Sequence, residues 1–307
     1  MSPITETYYE VGGFPFAVAL PPCLSCVSLP PSFRPFRISP CPSPGLLFRL
    51  VCEAAPAPAV PSGAVLLEEQ RNDLGLTRLY AHGGCYLVVL SAPGGRSSHV
   101  MHACDGFTRC RAWVDPSDPQ CGVALGSLLR VAYSQSVLLF GGVSVHASCV
   151  VLGGLAYLFM GPSGTGKSTH SRQWLSAFPG SWLLNDDNPV LRVSGAEVRV
   201  YGSPWSGKTA CYHSASSRVG GLVRLRQGRS NCFTACRGVE AFSVLLPGCS
   251  FIRQDGRLRE SLYDTLALLS SVVAAVGRLS CLPDESSARV CLHGLETETN
   301  NQTERHI

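Results

Sequence analysis

The rhythm of apolar and polar positions along the 307-residue chain changes near residue 120. Before that point, short apolar runs alternate with turn residues. They fall at Pro15–Leu20, Leu46–Cys52, Thr77–Ala81 and Cys85–Ser91, with a further pair, Ser98–Cys104 and Arg109–Val114, flanking Asp105–Gly106. Runs of this length between Gly, Pro and Asp predict strands. Pro21, Pro22, Pro30, Pro31, Pro35, Pro40, Pro42, Pro44, Pro56, Pro58 and Pro61 exclude long helices from the opening stretch. Residues 21–45 read as irregular or partly disordered.

After residue 120 the runs lengthen and helical spacing appears. Helices are predicted over Val123–Val137, Lys167–Phe178, Val239–Leu246, Leu258–Val276 and Glu285–Leu295. Pro179–Gly180 stops the second of these. Strands are predicted at Val143–Leu152, Leu155–Met160, Trp182–Leu184, Val190–Val193, Glu197–Val200, Gly221–Leu225 and Arg278–Cys281. The polar tail from Glu296 reads as frayed. The pattern divides the chain into a small β-rich N-terminal domain, 1–118, rich in Pro and Cys, and an α/β domain, 119–307. No internal repeat is visible.

Composition narrows the class. A chain that is 45% hydrophobic and 15% charged is globular. Its net charge of +4 comes without a basic run, which argues against a nucleic-acid partner. Arg224, Arg226 and Arg229 read as a solvated strand edge. Ser136–Met160 carries no charge and is long enough to span a bilayer. Its Gly141–Gly142 and Gly153–Gly154 pairs, His146 and its many valines fit buried strands better, so no membrane association is expected. Met1–Glu10 carries no basic residue, and Pro15, Pro21 and Pro22 cut the apolar stretch that follows, unlike a secretory signal. The 15 cysteines are odd in number and scattered, which fits free thiols in the cytoplasm better than a disulfide framework. Cys23 with Cys26 (CxxC) and Cys232 with Cys236 (CxxxC) fall short of a structural zinc site.

The distribution of lysine points to the chemistry. Of 25 basic residues only Lys167 and Lys208 are lysine, and each lies in the frame G-x-x-x-x-G-K-[ST]. Arginine can replace lysine on a surface, but not where a compact ammonium must fit inside a phosphate loop. The first frame is Gly161, Pro162, Ser163, Gly164, Thr165, Gly166, Lys167 and Ser168, followed by Thr169, between a predicted strand and a predicted helix. In this Walker A context glycines let successive N–H groups point at phosphate oxygens, and the helix adds its positive end. Lys167 reaches the β and γ oxygens of ATP, and Ser168 offers a hydroxyl to Mg²⁺. The second frame, Gly202–Thr209, lacks a following helix. It reads as a loop over the same site, with Lys208 contacting a phosphate or the acceptor.

Asp186 and Asp187 end an apolar run only 19 residues past Lys167. Transfer of a phosphoryl group to a hydroxyl needs one carboxylate near Mg²⁺ and one group to accept the hydroxyl proton, and two adjacent carboxylates can divide that work. His146 stands alone in an apolar run, where a histidine is ordinarily a core residue.

The order His146, Gly161–Ser168, Asn185-Asp186-Asp187 resembles the HPr kinase/phosphorylase group, which is related to the phosphoenolpyruvate carboxykinases. The resemblance covers about 120–295 and is strongest over 143–209. Tyr201–Lys208 with Val219–Leu225 resembles a bacterial HPr-kinase-like branch. It implies an HPr-kinase/carboxykinase-like P-loop domain with a mixed sheet, using ATP and Mg²⁺ to phosphorylate a hydroxyl on a peptide, protein or small metabolite. By the same resemblance Asp186 is the general base, Asp187 and Ser168 hold Mg²⁺, and His146 orients the acidic pair. Homo-oligomers are implied too, since members commonly assemble. The chain departs from the group at Val198-Arg-Val-Tyr-Gly202, where an acidic residue and an Arg-Gly step are expected, so HPr itself is not implied as the acceptor. A nucleotide-sensing module without phosphotransfer is the alternative in another class.

Overall fold

The computed structural model describes residues 5–24, 27–40, 45–53, 55–72, 75–91, 94, 97–207 and 209–305. The chain is mixed α/β and forms two compact units, Met1–Phe140 with Ile252–Leu258, and Gly141–Phe251 with Arg259–Ile307. The helix expected at 123–137 is grouped with the first unit.

The first unit is built on strands β1 (Thr5–Val11), β2 (Phe14–Leu20), β3 (Arg37–Ile38), β4 (Phe48–Cys52), β5 (Val65–Asn72), β6 (Gly75–His82), β7 (Cys85–Ser91), β8 (His99–Cys104) and β9 (Arg109–Trp113). They form one sheet in the order β3-β1-β2-β4-β9-β8-β7-β6-β5. The β2–β4 and β4–β9 pairs are parallel. Strands β1 and β5 were not foreseen, because their polar and charged residues hide the apolar alternation. Such residues suit a strand at the sheet margin, as β5 is. Helix α1 (Cys121–Ser136) packs on β4, β7 and β8. Its Tyr133 is fully buried, donates its hydroxyl to the Val11 carbonyl at 2.9 Å, and sets its ring edge-on to Phe16, which stacks on Phe48. Cys121–Phe140 is, among the described residues, the one helical stretch long and apolar enough to cross a membrane, and 72% of its apolar window is buried in the fold. One pair of cysteines departs from the expected free thiols: Cys85 and Cys104 are disulfide-bonded across β7 and β8.

The second unit contains β10 (Gly142–Ser144), β11 (Ala147–Leu152), β12 (Leu155–Met160), α2 (Lys167–Ala177), β13 (Trp182–Asn185), β14 (Val190–Ser194), β15 (Glu197–Tyr201), β16 (Ser216–Gln227), β17 (Cys232–Ala235), α3 (Val239–Leu245), α4 (Gly256–Val272), β18 (Val276–Cys281) and α5 (Glu285–Arg305). The main sheet runs β10-β14-β15-β16-β12-β11-β13, and β18 pairs with β16 and β17. It is mixed, with parallel pairs at β12–β16 and β16–β18.

Three expectations are corrected here. The run Val143–Leu152 is not one strand. It breaks at Val145–His146, because β10 pairs with β14 while β11 pairs with β12 and β13. Helix α4 ends at Val272 rather than 276, since Val276 opens a strand that the β16 edge captures. The tail from Glu296 is helical to Arg305. That extension is anchored by Glu298, 4% exposed, which accepts two hydrogen bonds from the Arg237 guanidinium at 2.6 and 2.7 Å.

The core of this unit lies between the sheet and α2 with α5. Val150, Tyr157, Phe159, Val223, Leu225 and Leu279 face Trp174 and Ala177 of α2 and Ala288, Cys291 and Leu295 of α5. Leu295 reaches the sheet because Gly221 has no side chain: a Cβ there would lie 2.7 Å from the leucine methyl. His170 sits beside Trp174 at the polar margin of this core. Its Nε2 accepts the indole N–H at 3.0 Å, which leaves the proton on Nδ1, 3.2 Å from the Ser287 hydroxyl. Burial holds its pKa down at about 4, against an ordinary 6.5. The stability consequence has a definite sign. Below pH 6.5 the unfolded chain takes up a proton that the fold refuses until about pH 4, so stability is full above 6.5 and falls as the pH drops through that window. The loss reaches about 3 kcal/mol from this group. Urea titrations across pH 7 to 4 should show that decline, and His170→Gln, which keeps an acceptor for Trp174, should flatten it.

Candidate functional site

One end of the second sheet gathers most of the residues singled out by the sequence. Strand β12 ends there at Met160, paired with Ala147 at the start of β11. Strand β13 ends there at Asn185, paired with Cys149. Gly161 and His146 therefore leave adjacent strands side by side, with the acidic turn next along.

The loop after β12 turns tightly into α2. Gly164 and Gly166 take φ of +79° and +104°, in the left-handed region, and Gly166 is the residue from which α2 starts. Side chains at these two positions would be strained. The Thr165 amide and hydroxyl both return to the Pro162 carbonyl, at 3.2 and 2.7 Å. Lys167 is 8% exposed, and its ammonium donates to the carbonyls of Gly161 at 3.0 Å and Pro162 at 3.3 Å. Burial lowers its pKa, while the charges of Asp187 and Asp186 act in the opposite sense. Ser168 and Thr169 follow in the first turn of α2, both half-buried. Beside the loop lies a shallow depression of about 330 Å³, lined by Pro162, Ser163, Gly164 and Thr165 on one side and by Leu225, Arg226 and Gln227 of β16 on the other.

Asp186 is 3% exposed. Its Oδ1 accepts from the Ser148 hydroxyl of β11 at 3.0 Å, and Ser148 lies 2.6 Å from the Ser171 hydroxyl of α2. Its Oδ2 has no hydrogen-bond partner among the described residues. Asp187 is more open. Its Oδ1 lies 3.2 Å from His146 Nε2, and its Oδ2 accepts from the Asn188 amide at 2.5 Å. His146 is thus not a core histidine: its side chain is 42% exposed, and it sits between β10 and β11 facing the acidic turn.

Asn185 organises that turn. It is fully buried, and its Oδ1 accepts the backbone N–H of Asp187 at 2.9 Å and of Asn188 at 2.8 Å. Its amide donates to the Ser203 and Trp205 carbonyls at 3.2 and 3.4 Å. Ser203 answers by donating to the Asn188 carbonyl at 2.6 Å. The loop 202–207 is therefore stitched over the acidic pair. A Cβ at Gly207 would sit 3.5 Å from both the Asp186 carbonyl and the Asp187 Cβ. No helix follows the second glycine frame; the chain runs into β16. Lys208 lies outside the described residues, as does Cys26 of the CxxC. Ser148 of β11, Ser171 of α2 and Ser203 of the overlying loop were missed from sequence because a lone serine in a strand, helix or loop carries no spacing signal. The bonding of Asn185 was foreshadowed only by the Asn-Asp-Asp-Asn turn chemistry.

No protein-family model matches the chain, and no curated protein matches it. Among solved structures, that of the Hpr(Ser) kinase/phosphatase from Coxiella burnetii aligns at 12% identity over 53% of this chain and 97% of that one, with a TM-score of 0.31. A likeness at that score does not establish a shared fold.

Replacing Asn185 by Ala removes the acceptor for two backbone N–H groups and the donor to the overlying loop. The variant should lose at least about 2 kcal/mol in urea denaturation. Amide exchange should rise at 186–188 and 203–207, while the exchange of α5 stays unchanged below the global unfolding limit.

Proposed function

We propose that this chain is an ATP-dependent phosphotransferase that moves the γ-phosphate onto a hydroxyl, either a serine of a peptide or protein or an alcohol of a small metabolite. The observation that carries the reading is the meeting, at one sheet end, of a left-handed glycine loop with a buried lysine and a carboxylate pair, one of whose oxygens, Asp186 Oδ2, is buried without a hydrogen-bond partner among the described residues.

In this reading the amides of residues 161–166 and the positive end of α2 receive the phosphates. Lys167 exchanges its two loop carbonyls for phosphate oxygens, for which its compact ammonium is suited. Ser168 and Thr169 present hydroxyls from the first turn of the helix. Asp186 accepts the proton of the acceptor hydroxyl as its oxygen attacks the γ-phosphorus and the bond to ADP breaks. Ser148 and Ser171 hold that carboxylate in place, and His146 with Asn188 orients Asp187. Lys208, next to Gly207, is proposed to meet a phosphate or the acceptor.

The donors available to a metal are hard oxygens, the Ser168 hydroxyl and the Asp187 carboxylate, with Asp186 Oδ2 adjacent, which suits Mg²⁺. When bound, Mg²⁺ supplies charge neutralisation for the phosphate oxygens.

The test uses the full chain, γ-labelled ATP, Mg²⁺, and two acceptor pools, serine peptides and small alcohols. Label should appear on an acceptor from one pool. Lys167→Ala should weaken nucleotide binding, and Asp186→Asn should cut transfer by about 10²- to 10⁴-fold while nucleotide still binds. Nucleotide binding that labels no acceptor and is indifferent to Asp186→Asn would instead mark a nucleotide sensor.

A further inference from the structure

The first unit carries a cluster of soft donors that plays no part in the reading above. The hairpin β6–β7 turns through Gly83 and Gly84, both at positive φ, +58° and +75°. This two-residue turn places His82 directly opposite Cys85. On the other side of β7, Cys104 lies opposite Cys85, one step beyond the Tyr86–Ala103 pair, with the two Cα atoms 4.5 Å apart. That is the narrow, non-hydrogen-bonded spacing of an antiparallel pair, which brings side chains closest. His102 is two residues before Cys104 on the same strand and so shares its face. Four donors, His82, Cys85, His102 and Cys104, thus occupy one patch of one sheet face.

The geometry of three of them is already close to a coordination site. The donor atoms of Cys85, His102 and Cys104 all lie within 4.8 Å of one another. Both ring nitrogens of His102 are 3.9 Å from Cys104 Sγ. Tetrahedral zinc, with bonds of about 2.3 Å to sulfur and 2.0–2.1 Å to nitrogen, sets its donors roughly 3.5–3.8 Å apart. The three residues are half-buried, whereas His82 is exposed at the turn and available to close the shell.

We propose that Cys85, Cys104 and His102, completed by His82, form a zinc site whose occupancy is set by the redox state of the cysteine pair. The disulfide and the metal complex exclude each other, since the same two sulfurs serve both. Reduction by a dithiol transfers two electrons to the Cys85–Cys104 bond. The bond breaks into two thiols, and the dithiol leaves as its own disulfide. Zinc then binds with release of the two thiol protons. The surroundings favour the reduced form as a functional state, because cysteines elsewhere among the described residues, Cys149, Cys211 and Cys291 among them, are free thiols. Two thiolates with two imidazoles select zinc among the common divalent ions.

The decisive experiment is a metal titration of the full chain. Protein reduced with a phosphine and stripped with a chelator is titrated anaerobically with Zn²⁺ against a chromophoric competitor, and in parallel with Co²⁺ as a spectroscopic probe. The reduced protein should take up one tight equivalent, and Co²⁺ should show thiolate charge transfer with intense tetrahedral visible bands. Cys85→Ser with Cys104→Ser should lose that equivalent, and His102→Ala should weaken it by at least about tenfold. Oxidation of the unmodified chain with a diazene oxidant should abolish the equivalent, and renewed reduction should restore it. This arm does not depend on how any variant folds. Uptake that persists after oxidation, or that the double serine variant retains, overturns the proposal, as does a reduced chain with no tight equivalent.

Discussion

A carboxylate held almost out of water is the constraint around which the second unit is arranged. Asp186 is 3% exposed, and a buried charge costs several kcal/mol unless its surroundings compensate. The compensation comes from three places in the chain. Ser148 of β11 donates to one oxygen and is itself bonded to Ser171 of α2. Lys167, at the head of the same helix, brings a positive charge that the two aspartates help to keep ionised against its own burial. Asn185 fixes the backbone of the acidic turn and the loop above it. One strand, one helix and two loops are thus registered on a single buried carboxyl group. This arrangement explains why Ser148 and Asn185 are buried polar residues in otherwise apolar strands.

What was legible in the sequence was whatever left a local mark. Strand β12 matched its predicted bounds, and α2 differed from them by one residue, because glycines at 161, 164 and 166 punctuate the chain between them. Hairpins with Gly or Asp at the tip, such as β8–β9, were readable for the same reason. What was not legible was set by partners distant in sequence. Strand β17 is a short, mostly exposed run that exists because β18 offers it an edge. The break at His146 is decided by which strands lie on either side, not by any residue at the break. The helical tail depends on Arg237, some sixty residues upstream of Glu298. The candidate site divides along the same line. The glycine loop and the aspartates announce themselves, whereas the serines and the asparagine that hold them do so only by contact.

The two units also use histidine in different ways. His170 is kept neutral by burial and by an indole donor, so it works as a packing group with a fixed tautomer. His146 is nearly half exposed beside a carboxylate. His102 stands within reach of a sulfur pair. Position relative to water, more than spacing in sequence, separates these roles.

The position of α5, downstream of everything it packs against, has a consequence for how the protein is made. Trp174, Phe159 and Val223 belong to segments synthesised well before α5, yet Ala288, Cys291 and Leu295 complete their packing. Until those residues have left the ribosomal tunnel, one face of the β12–β16–β18 sheet carries uncovered aromatic and aliphatic surface. A nascent chain in that condition is a natural client for holding chaperones. Its passage to the native state therefore waits on the synthesis of α5, well after the glycine loop has appeared.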